Sequence, residues 1–209
     1  MRSVGRLYIL HGMEILGKIF GSTGRVKLMR MFLFNPDQSY TRADIRKRIH
    51  AGDRTLNREL SLLLRAGLVK RKVSASPRSV HKIVLWSLNN RFSYLTQLQN
   101  LLVGTIFLDN MEVVRRFSKA GHLKLLIVAG VFIRDPDSRA DILIVGDRLR
   151  KNLIESVIRR MEGEIGKELR YAFLETPDFQ YRLSISDKLI RDILEYPHQK
   201  LLDRLGLRP

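Results

Sequence analysis

Two apolar runs flank a short polar loop in the stretch LLIVAGVFIRDPDSRADILIVGD, which covers residues 125–147, and the second run opens on a single aspartate, Asp141. Gly130 follows the first run, and a short polar loop leads to the aspartate and the second run. A carboxylate in such a place can bind a divalent cation or accept a proton, but both tasks need further polar groups at a suitable spacing. The neighbours of Asp141 therefore decide whether it does chemistry.

The composition excludes several kinds of site. The 209 residues include no cysteine, which removes disulfides, thiolate zinc sites and cysteine nucleophiles. The histidines are scattered, and none is paired with another histidine or a carboxylate at ligand spacing on one helix. They are His11, His50, His81, His122 and His198. We predict no metal site and no cofactor.

No stretch of the sequence predicts a membrane span, because no run of about 18 uncharged apolar residues occurs. The N-terminal segment LYILHGMEILGKIF is interrupted by His11 and Glu14. It is typical of an amphipathic segment rather than of a signal peptide or a membrane helix. We therefore expect a cytoplasmic protein.

Positive charge is concentrated in the first half of the chain. The formal net charge is +17, and residues 1–90 hold 18 Lys and Arg against 5 Asp and Glu, whereas residues 91–209 hold 20 against 16. Such a block of cations favours a polyanionic partner, because neutralising phosphates releases condensed counterions. A generally basic, solvated surface is the alternative that charge alone leaves open.

Apolar spacing predicts three helices in this half. The first ends at Asn35-Pro36, and the second begins at Thr41 as N-cap, with Asp44 in a shortened capping box. The third takes Asp53 as its N-cap. The inward positions are Val26, Met29, Phe32 and Leu33 in the first helix, Ile45 and Ile49 in the second, and Leu56, Leu60, Leu63, Leu64 and Gly67 in the third.

Two runs rich in β-branched residues, 68–73 and 82–88, follow the third helix and flank a Ser/Pro-rich loop, which predicts a hairpin. The third helix also has a polar face, opposite its leucines. This face holds Arg54, Arg58, Ser61 and Arg65, with Thr55 and Asn57 on its flanks. Such side chains can reach base edges and phosphates, but any surface helix also presents polar residues opposite its buried side.

Three short helices closed by a basic hairpin resemble the winged helix-turn-helix domain of bacterial and archaeal regulators of the ArsR and MarR types. The phrase LNRELSLLLRAGLVKRK is close to that family's passage from recognition helix to wing, in which Gly67 turns the chain and Leu68-Val69 starts the wing. The resemblance covers about residues 21–90. It implies a winged-helix domain over residues 1–90.

By that resemblance the third helix enters a major groove of double-stranded DNA, the wing lies along the backbone or the minor groove, and the second helix approaches phosphates. The DNA-binding residues that it implies are Arg42, Arg46, Lys47, Arg54, Thr55, Asn57, Arg58, Ser61, Arg71, Lys72, Arg78 and Lys82. Winged helices also bind RNA and proteins, but the positive charge of this half favours nucleic acid.

A connecting helix is predicted over residues 91–108. Its apolar stripe consists of Phe92, Leu95, Leu98, Leu102 and Ile106. Regulators of this kind commonly dimerise through a helix outside the DNA-reading part, so the stripe favours a homodimer with two half-sites. Packing against the chain's own second domain is the alternative.

The remaining residues, 109–209, alternate helix and strand and predict a small mixed α/β domain. Its outline resembles the minimal nucleotidyltransferase fold of the DNA polymerase β superfamily, and the ending ETPDFQYRLSISDKLIRDILEYPHQKLL looks like the tail of proteins that join a winged helix to such a domain. The predicted fold class is therefore α+β.

Catalysis in that superfamily needs a Gly-Ser at a helix start, two aspartates spaced D-x-D, and a third carboxylate on the next strand. Here the first position is Gly130-Val131, the second is Arg139-Ala140-Asp141, and the strand LRYAFL has no carboxylate in its interior. One carboxylate of three remains, and we expect Asp141 to pair with Arg139 rather than with magnesium. The resemblance thus implies a vestigial motif at Gly130, Arg139 and Asp141 and no enzymatic activity.

The sequence predicts a DNA-binding transcriptional regulator whose second domain is used for sensing, with a small-molecule effector, or for oligomerisation. An active nucleotidyltransferase, acting alone or as part of a toxin and antitoxin pair, is the first alternative, with the winged helix holding its substrate. A protein adaptor without any role in nucleic-acid binding is the second.

Overall fold

Backbone hydrogen bonds in the computed structural model, which describes residues 11–76, 79–104 and 110–207, give a mixed α+β protein with two small sheets. The helices of the described residues are α1 (His11–Ile19), α2 (Thr23–Phe34), α3 (Arg42–Ile49), α4 (Asp53–Arg65), α5 (Leu95–Leu102), α6 (Asn110–Phe117), α7 (Lys151–Ile165), α8 (Thr176–Ser184) and α9 (Lys188–Glu195). The strands are β1 (Ser39–Thr41), β2 (Val69–Ser76), β3 (Ser79–Leu88), β4 (His122–Val128), β5 (Ile142–Asp147), β6 (Tyr171–Glu175) and β7 (Gln199–Asp203). Single 3-10 turns cover Ser118–Ala120 and Gly130–Phe132.

The chain divides into two units. The first unit contains residues up to 106 together with residues 161–167, and the second contains residues 107–160 and residues from 168 onward. The end of α7 therefore belongs to the first unit and its beginning to the second. Among the described residues, no helix is both long and apolar enough to cross a bilayer.

Side-chain caps set the starts of α2 and α3. The hydroxyl of Ser22 accepts a hydrogen bond from the Arg25 N–H at 3.3 Å, which begins α2. Thr41 and Asp44 form the predicted capping box at α3: the Thr41 hydroxyl accepts from the Asp44 N–H, and the Asp44 carboxylate accepts from the Thr41 N–H at 2.9 Å. The predicted start of α3 is therefore confirmed, and the Ser22 cap is a further local signal that the sequence carries.

The predicted N-cap of α4 is wrong. Gly52 has the extended N-cap backbone, and Asp53 is the first residue of the helix, with its carboxylate bonded to arginines of α3. An acidic residue in the first turn still stabilises the helix through its dipole. At the other end, Gly67 adopts φ +80°, and the N–H of Leu68 returns to the carbonyl of Leu63 at 3.0 Å, so the chain turns there as expected.

The core of the first unit lies between α2, α3, α4 and the sheet. Leu28 and Met31 of α2 are buried as well as the predicted stripe, because α1 and α5 also pack against this helix. Leu64, predicted to face inward, is 36% exposed. The inward side of α4 is thus narrower than its leucines suggest, and it consists of Leu56, Glu59, Leu60 and Leu63.

The first sheet is a hairpin extended by one short strand. β2 and β3 pair antiparallel, as the sequence predicts, and β1 adds to the outer edge of β3, giving the order β1-β3-β2. β1 was not predicted, because three residues are too few to show an alternating pattern. It leads directly into α3 and so ties the start of that helix to the sheet.

The apolar stripe of the connecting segment packs inside the first unit. Leu102 belongs to the core of that unit, and Phe92, Leu95 and Leu98 pack against it, while Ile106 lies outside the described residues. The guanidinium of buried Arg30 holds the end of α5, its Nε donating to the Leu102 carbonyl at 2.9 Å. The stripe is therefore covered by the first unit itself, and the homodimer stays a prediction.

The second sheet has the order β6-β5-β4-β7. β4 pairs antiparallel with β5 and β7, whereas β5 and β6 are parallel and are connected through α7. Apolar residues of β4 and β5 form a core with α8 and α9, centred on Leu125, Leu143, Phe179 and Ile190. β7 was not predicted, since its sequence, QKLLD, has no strict alternation.

Candidate nucleic-acid interface and the Asp141 site

The polar face of α4 is exposed in the structure. Arg54, Asn57, Arg58, Ser61 and Arg65 are all exposed, and Thr55 is half-buried. They lie opposite the buried leucines of the same helix, as the helical spacing predicts. Within the described part of the chain, Arg54 and Arg65 form no hydrogen bond and no ion pair, so their guanidinium groups remain available to an anion.

Arg58 differs from these two arginines because it is bonded to a buried carboxylate. Its Nε and Nη2 both donate to Oε1 of Glu59, at 3.1 and 2.8 Å. The Glu59 side chain has no exposed surface, and its Oε2 accepts from Nε of Arg25 at 2.8 Å. The guanidinium groups of Arg25 and Arg58 thus share one carboxylate, and the cluster of these three side chains keeps a net positive charge.

The α3 arginines that were predicted to bind phosphate converge on Asp53. Arg42 donates to one oxygen of this carboxylate at 2.8 Å and Arg46 to the other at 3.3 Å. All three side chains are about half exposed, and ion pairs at such positions contribute little to stability. A phosphate can therefore replace Asp53 at small cost. Lys47 is exposed and has no ion-pair partner among the described residues.

The hairpin adds a run of three exposed cations on β2. These are Lys70, Arg71 and Lys72, and none has an ion-pair partner within the described ranges. Of the remaining predicted residues, Arg78 lies outside the described residues, and only the backbone of Lys82 is described, in β3. The predicted DNA-binding residues whose side chains are described therefore lie on α3, α4 and β2, all in the first unit.

Sequence reasoning missed Lys70 as a candidate. The signal that finds it is the absence of acidic residues: from Leu60 to Leu108 the sequence contains no Asp or Glu but has seven Lys or Arg. Cations in such a stretch have no carboxylate close in sequence to neutralise them. Arg65 and Lys70 lie at its start, on the exposed side of α4 and on β2.

In the second unit, Asp141 is buried but its carboxylate is fully engaged. One oxygen accepts from the Val131 N–H at 2.9 Å, and the other accepts from the Arg170 N–H at 2.8 Å. The Arg170 guanidinium adds longer contacts through Nε at 3.3 Å and Nη2 at 3.4 Å. Four donors therefore surround a carboxylate that is 1% exposed.

The predicted pairing of Asp141 with Arg139 is wrong. Arg139 pairs instead with Asp192 of α9, at 3.3 Å from Nε to Oδ2. The reason is the parallel register of β5 and β6, in which Ile142 lies beside Tyr171. The residues that precede these two strands, Asp141 and Arg170, are then also neighbours, so the Arg170 side chain lies beside the Asp141 carboxylate.

Gly130 is required by the position of this carboxylate. Its φ is +53°, and a Cβ atom there would come within 2.0 Å of Oδ1 of Asp141. The residue begins a single 3-10 turn, Gly130–Phe132, whose Val131 N–H donates to the same oxygen. The geometry of the turn therefore serves to seat Asp141.

Glu175, at the end of β6, also accepts backbone hydrogen bonds. Its two oxygens accept from the N–H groups of Arg148 and Leu149, at 2.9 and 2.8 Å, just before α7 begins.

In the described residues, no three His, Asp or Glu side chains form a group that could hold a metal ion.

Comparison with known proteins found no match for this chain among family models, curated proteins or solved structures.

Proposed function

We propose that the chain is a DNA-binding transcriptional regulator whose first unit is a winged helix-turn-helix domain. The order α2, β1, α3, α4, β2, β3, with the hairpin following the exposed polar helix, supports this proposal. In it, α4 is the recognition helix, β2 and β3 form the wing, and the partner is double-stranded DNA.

The observation that carries the proposal is the set of exposed cations without ion-pair partners, among the described residues, on α4 and β2. Arg54 and Arg65 are on α4, and Lys70, Arg71 and Lys72 are on β2. Cations held apart from carboxylates retain their full attraction for phosphates. A merely solvated basic surface would more commonly interleave acidic residues with these cations.

The proposal extends to the second unit, which we infer to be a nucleotidyltransferase-like domain without catalytic activity, used for sensing or oligomerisation. Support comes from Asp141, whose oxygens are occupied by N–H donors and by Arg170. To bind a cation, this carboxylate would have to give up those hydrogen bonds while a guanidinium stayed beside it.

Fluorescence anisotropy with labelled random-sequence duplex DNA tests the DNA-binding proposal. We expect the logarithm of the affinity to fall linearly with the logarithm of the salt concentration, with a slope of about −0.9 for each phosphate that the protein neutralises. The double variant Arg54→Ala, Arg65→Ala should weaken binding and make that slope shallower by about one for each phosphate that is no longer bound.

The matched control is the double variant Arg160→Ala, Lys188→Ala. It removes the same charge from exposed residues of the second unit that have no ion-pair partner in the described chain. Equal weakening by the two double variants would mean that only net charge matters, and the assignment of the interface to α4 would fail. Wild-type protein that does not bind duplex DNA at low salt would overturn the proposed function.

A further inference from the structure

Glu59 joins the start of α2 to the exposed face of α4. Its carboxylate accepts hydrogen bonds from Arg25, in the first turn of α2, and from Arg58, on α4. Burial alone would raise the pKa of Glu59, but the hydrogen bonds from Arg25 and Arg58 outweigh it and hold the pKa below its usual value. The carboxylate is therefore ionised at neutral pH and binds both arginines as a charged acceptor.

The two arginines present different surfaces to solvent. The Arg25 side chain is 22% exposed and also donates to the carbonyl of Phe20. The Arg58 side chain is 68% exposed, although its Nε and Nη2 are engaged by Glu59. Its Nη1 makes no hydrogen bond within the described chain, so the end of the planar group farthest from Cδ still has free N–H donors.

We propose that Glu59 is a positioning residue that holds Arg58 so that its free edge reads a guanine base; this inference rests on the proposed function. An arginine donates two parallel hydrogen bonds to O6 and N7 of guanine, and that contact needs a fixed guanidinium plane. A carboxylate that holds the other edge restricts the plane before DNA binds, so less conformational entropy is lost on binding.

Arg54 and Arg65 contrast with Arg58 on the same helix face. Neither has a carboxylate partner among the described residues, so their side chains can adjust to the DNA backbone. Contacts to phosphates tolerate this freedom, because they position the protein without reading sequence. Because Glu59 holds the guanidinium of Arg58 and no carboxylate in the described residues holds that of Arg54 or Arg65, we assign base reading to Arg58.

Matched lysine substitutions test this assignment in the full chain. Arg58→Lys and Arg65→Lys each keep the charge and remove the planar fork, at exposed positions of one helix. The wild-type protein is first used to select DNA duplexes that it binds from a pool of random sequences, and the selected duplexes are sequenced. Affinities are then measured for the selected site and for duplexes in which each guanine is replaced by adenine.

We expect Arg58→Lys to reduce the discrimination between guanine and adenine at one position by about tenfold, because the variant cannot make the bidentate hydrogen bonds. Its salt slope should stay that of the wild type. Arg65→Lys should leave the discrimination unchanged. If both variants lose discrimination equally, or if Arg58→Lys keeps it, the assignment of base reading to Arg58 is overturned while DNA binding stands.

Glu59→Gln tests the positioning role itself, because the amide keeps the shape but not the charge that holds Arg58. After circular dichroism has shown a folded chain, we expect discrimination to fall at the same base position, although Arg58 is still present. A purely structural role would weaken all duplexes alike. A folded Glu59→Gln protein with wild-type discrimination would overturn the role of Glu59.

The remaining outcomes are also decisive. If Glu59→Gln does not fold, Glu59→Asp takes its place: the shorter carboxylate keeps the charge but cannot hold the Arg58 plane in the same position, so wild-type discrimination in a folded Glu59→Asp protein would overturn the role of Glu59. If the wild type binds duplex DNA but selects no sequence, the inference fails and the proposed function stands. If it does not bind duplex DNA, both fail.

Discussion

Asp141 and Glu59 are both buried carboxylates, and the donors around each one indicate its role. Asp141 faces two backbone N–H groups and one guanidinium, which together hold a loop and two strand ends in place. Glu59 faces two guanidinium groups, one of which is largely exposed to solvent. Buried charges are retained where hydrogen bonds compensate for lost hydration. The first arrangement stabilises the fold, and we propose that the second also orients an exposed group.

Replacing Asp141 should therefore change stability. In Asp141→Asn one acceptor oxygen becomes an N–H₂ group, which cannot accept a hydrogen bond from the N–H groups that surround it. Each buried N–H left unpaired costs roughly 1–3 kcal/mol. We expect a lower midpoint of urea unfolding, followed by circular dichroism. The control is Asp137→Asn, at an exposed carboxylate of the same loop, which should leave the midpoint unchanged. Magnesium-dependent label transfer from a nucleoside triphosphate by the wild type, abolished in a folded Asp141→Asn protein, would contradict the non-catalytic proposal.

Capping residues close in sequence set where α2 and α3 of the first unit begin. Thr41 and Asp44 satisfy each other's N–H groups at the start of α3. Hydrogen bonds from the Thr41 side chain and backbone hold the pKa of Asp44 below its usual value. This cap also fixes the junction between β1 and α3, and α3 carries Arg42 and Arg46 toward α4.

Thr41→Ala should destabilise the first unit by about 1 kcal/mol at neutral pH, the usual cost of losing an N-cap. Because the folded-state pKa of Asp44 is lowered, the stability that it adds is present above the ordinary Asp pKa of about 3.9 and is lost as the pH falls through the folded value. The difference between wild type and variant should therefore shrink below about pH 4. Urea unfolding followed by the fluorescence of Trp86 measures it.

The exposed Thr96→Ala substitution in α5 is the control for this measurement and should have little effect at any pH. A Thr41→Ala protein with wild-type stability at neutral pH would show that the cap contributes nothing. A stability difference between wild type and Thr41→Ala that stays constant below pH 4 would show that the Asp44 carboxylate does not contribute to the cap.

The charge is distributed unevenly along the chain, with most of the excess of cations in residues 1–90. Within this half, Asp53 is an exposed carboxylate that forms ion pairs with two arginines of the candidate interface. These ion pairs hold Arg42 and Arg46 beside the start of α4. Under the proposed function, an acidic residue in such a place limits non-specific attraction to DNA.

Asp53→Asn should raise the affinity for random duplex DNA several-fold at low salt and make the salt dependence steeper, because phosphates no longer compete with a carboxylate for Arg42 and Arg46. The gain should disappear at high salt, where such contacts are screened. Asp178→Asn is a matched control, since it removes one exposed carboxylate from the first turn of α8 in the second unit. Equal gains in both variants, measured by fluorescence anisotropy, would contradict a specific role for Asp53.

Features that are set by residues close together in the sequence, or by composition, could be predicted from the sequence alone. The cap of α3, the turn at Gly67, the hairpin, the exposed face of α4 and the excess of cations are of this kind, because each is set within a few residues or by composition. The partners of the charged groups emerged only from the folded chain. Arg25 and Glu59 are 34 residues apart, and Asp141 and Arg170 are 29 apart. The edge strands β1 and β7 depend on long-range pairing in the same way. No local pattern encodes such contacts, since which strands and helices become neighbours is a property of the tertiary structure.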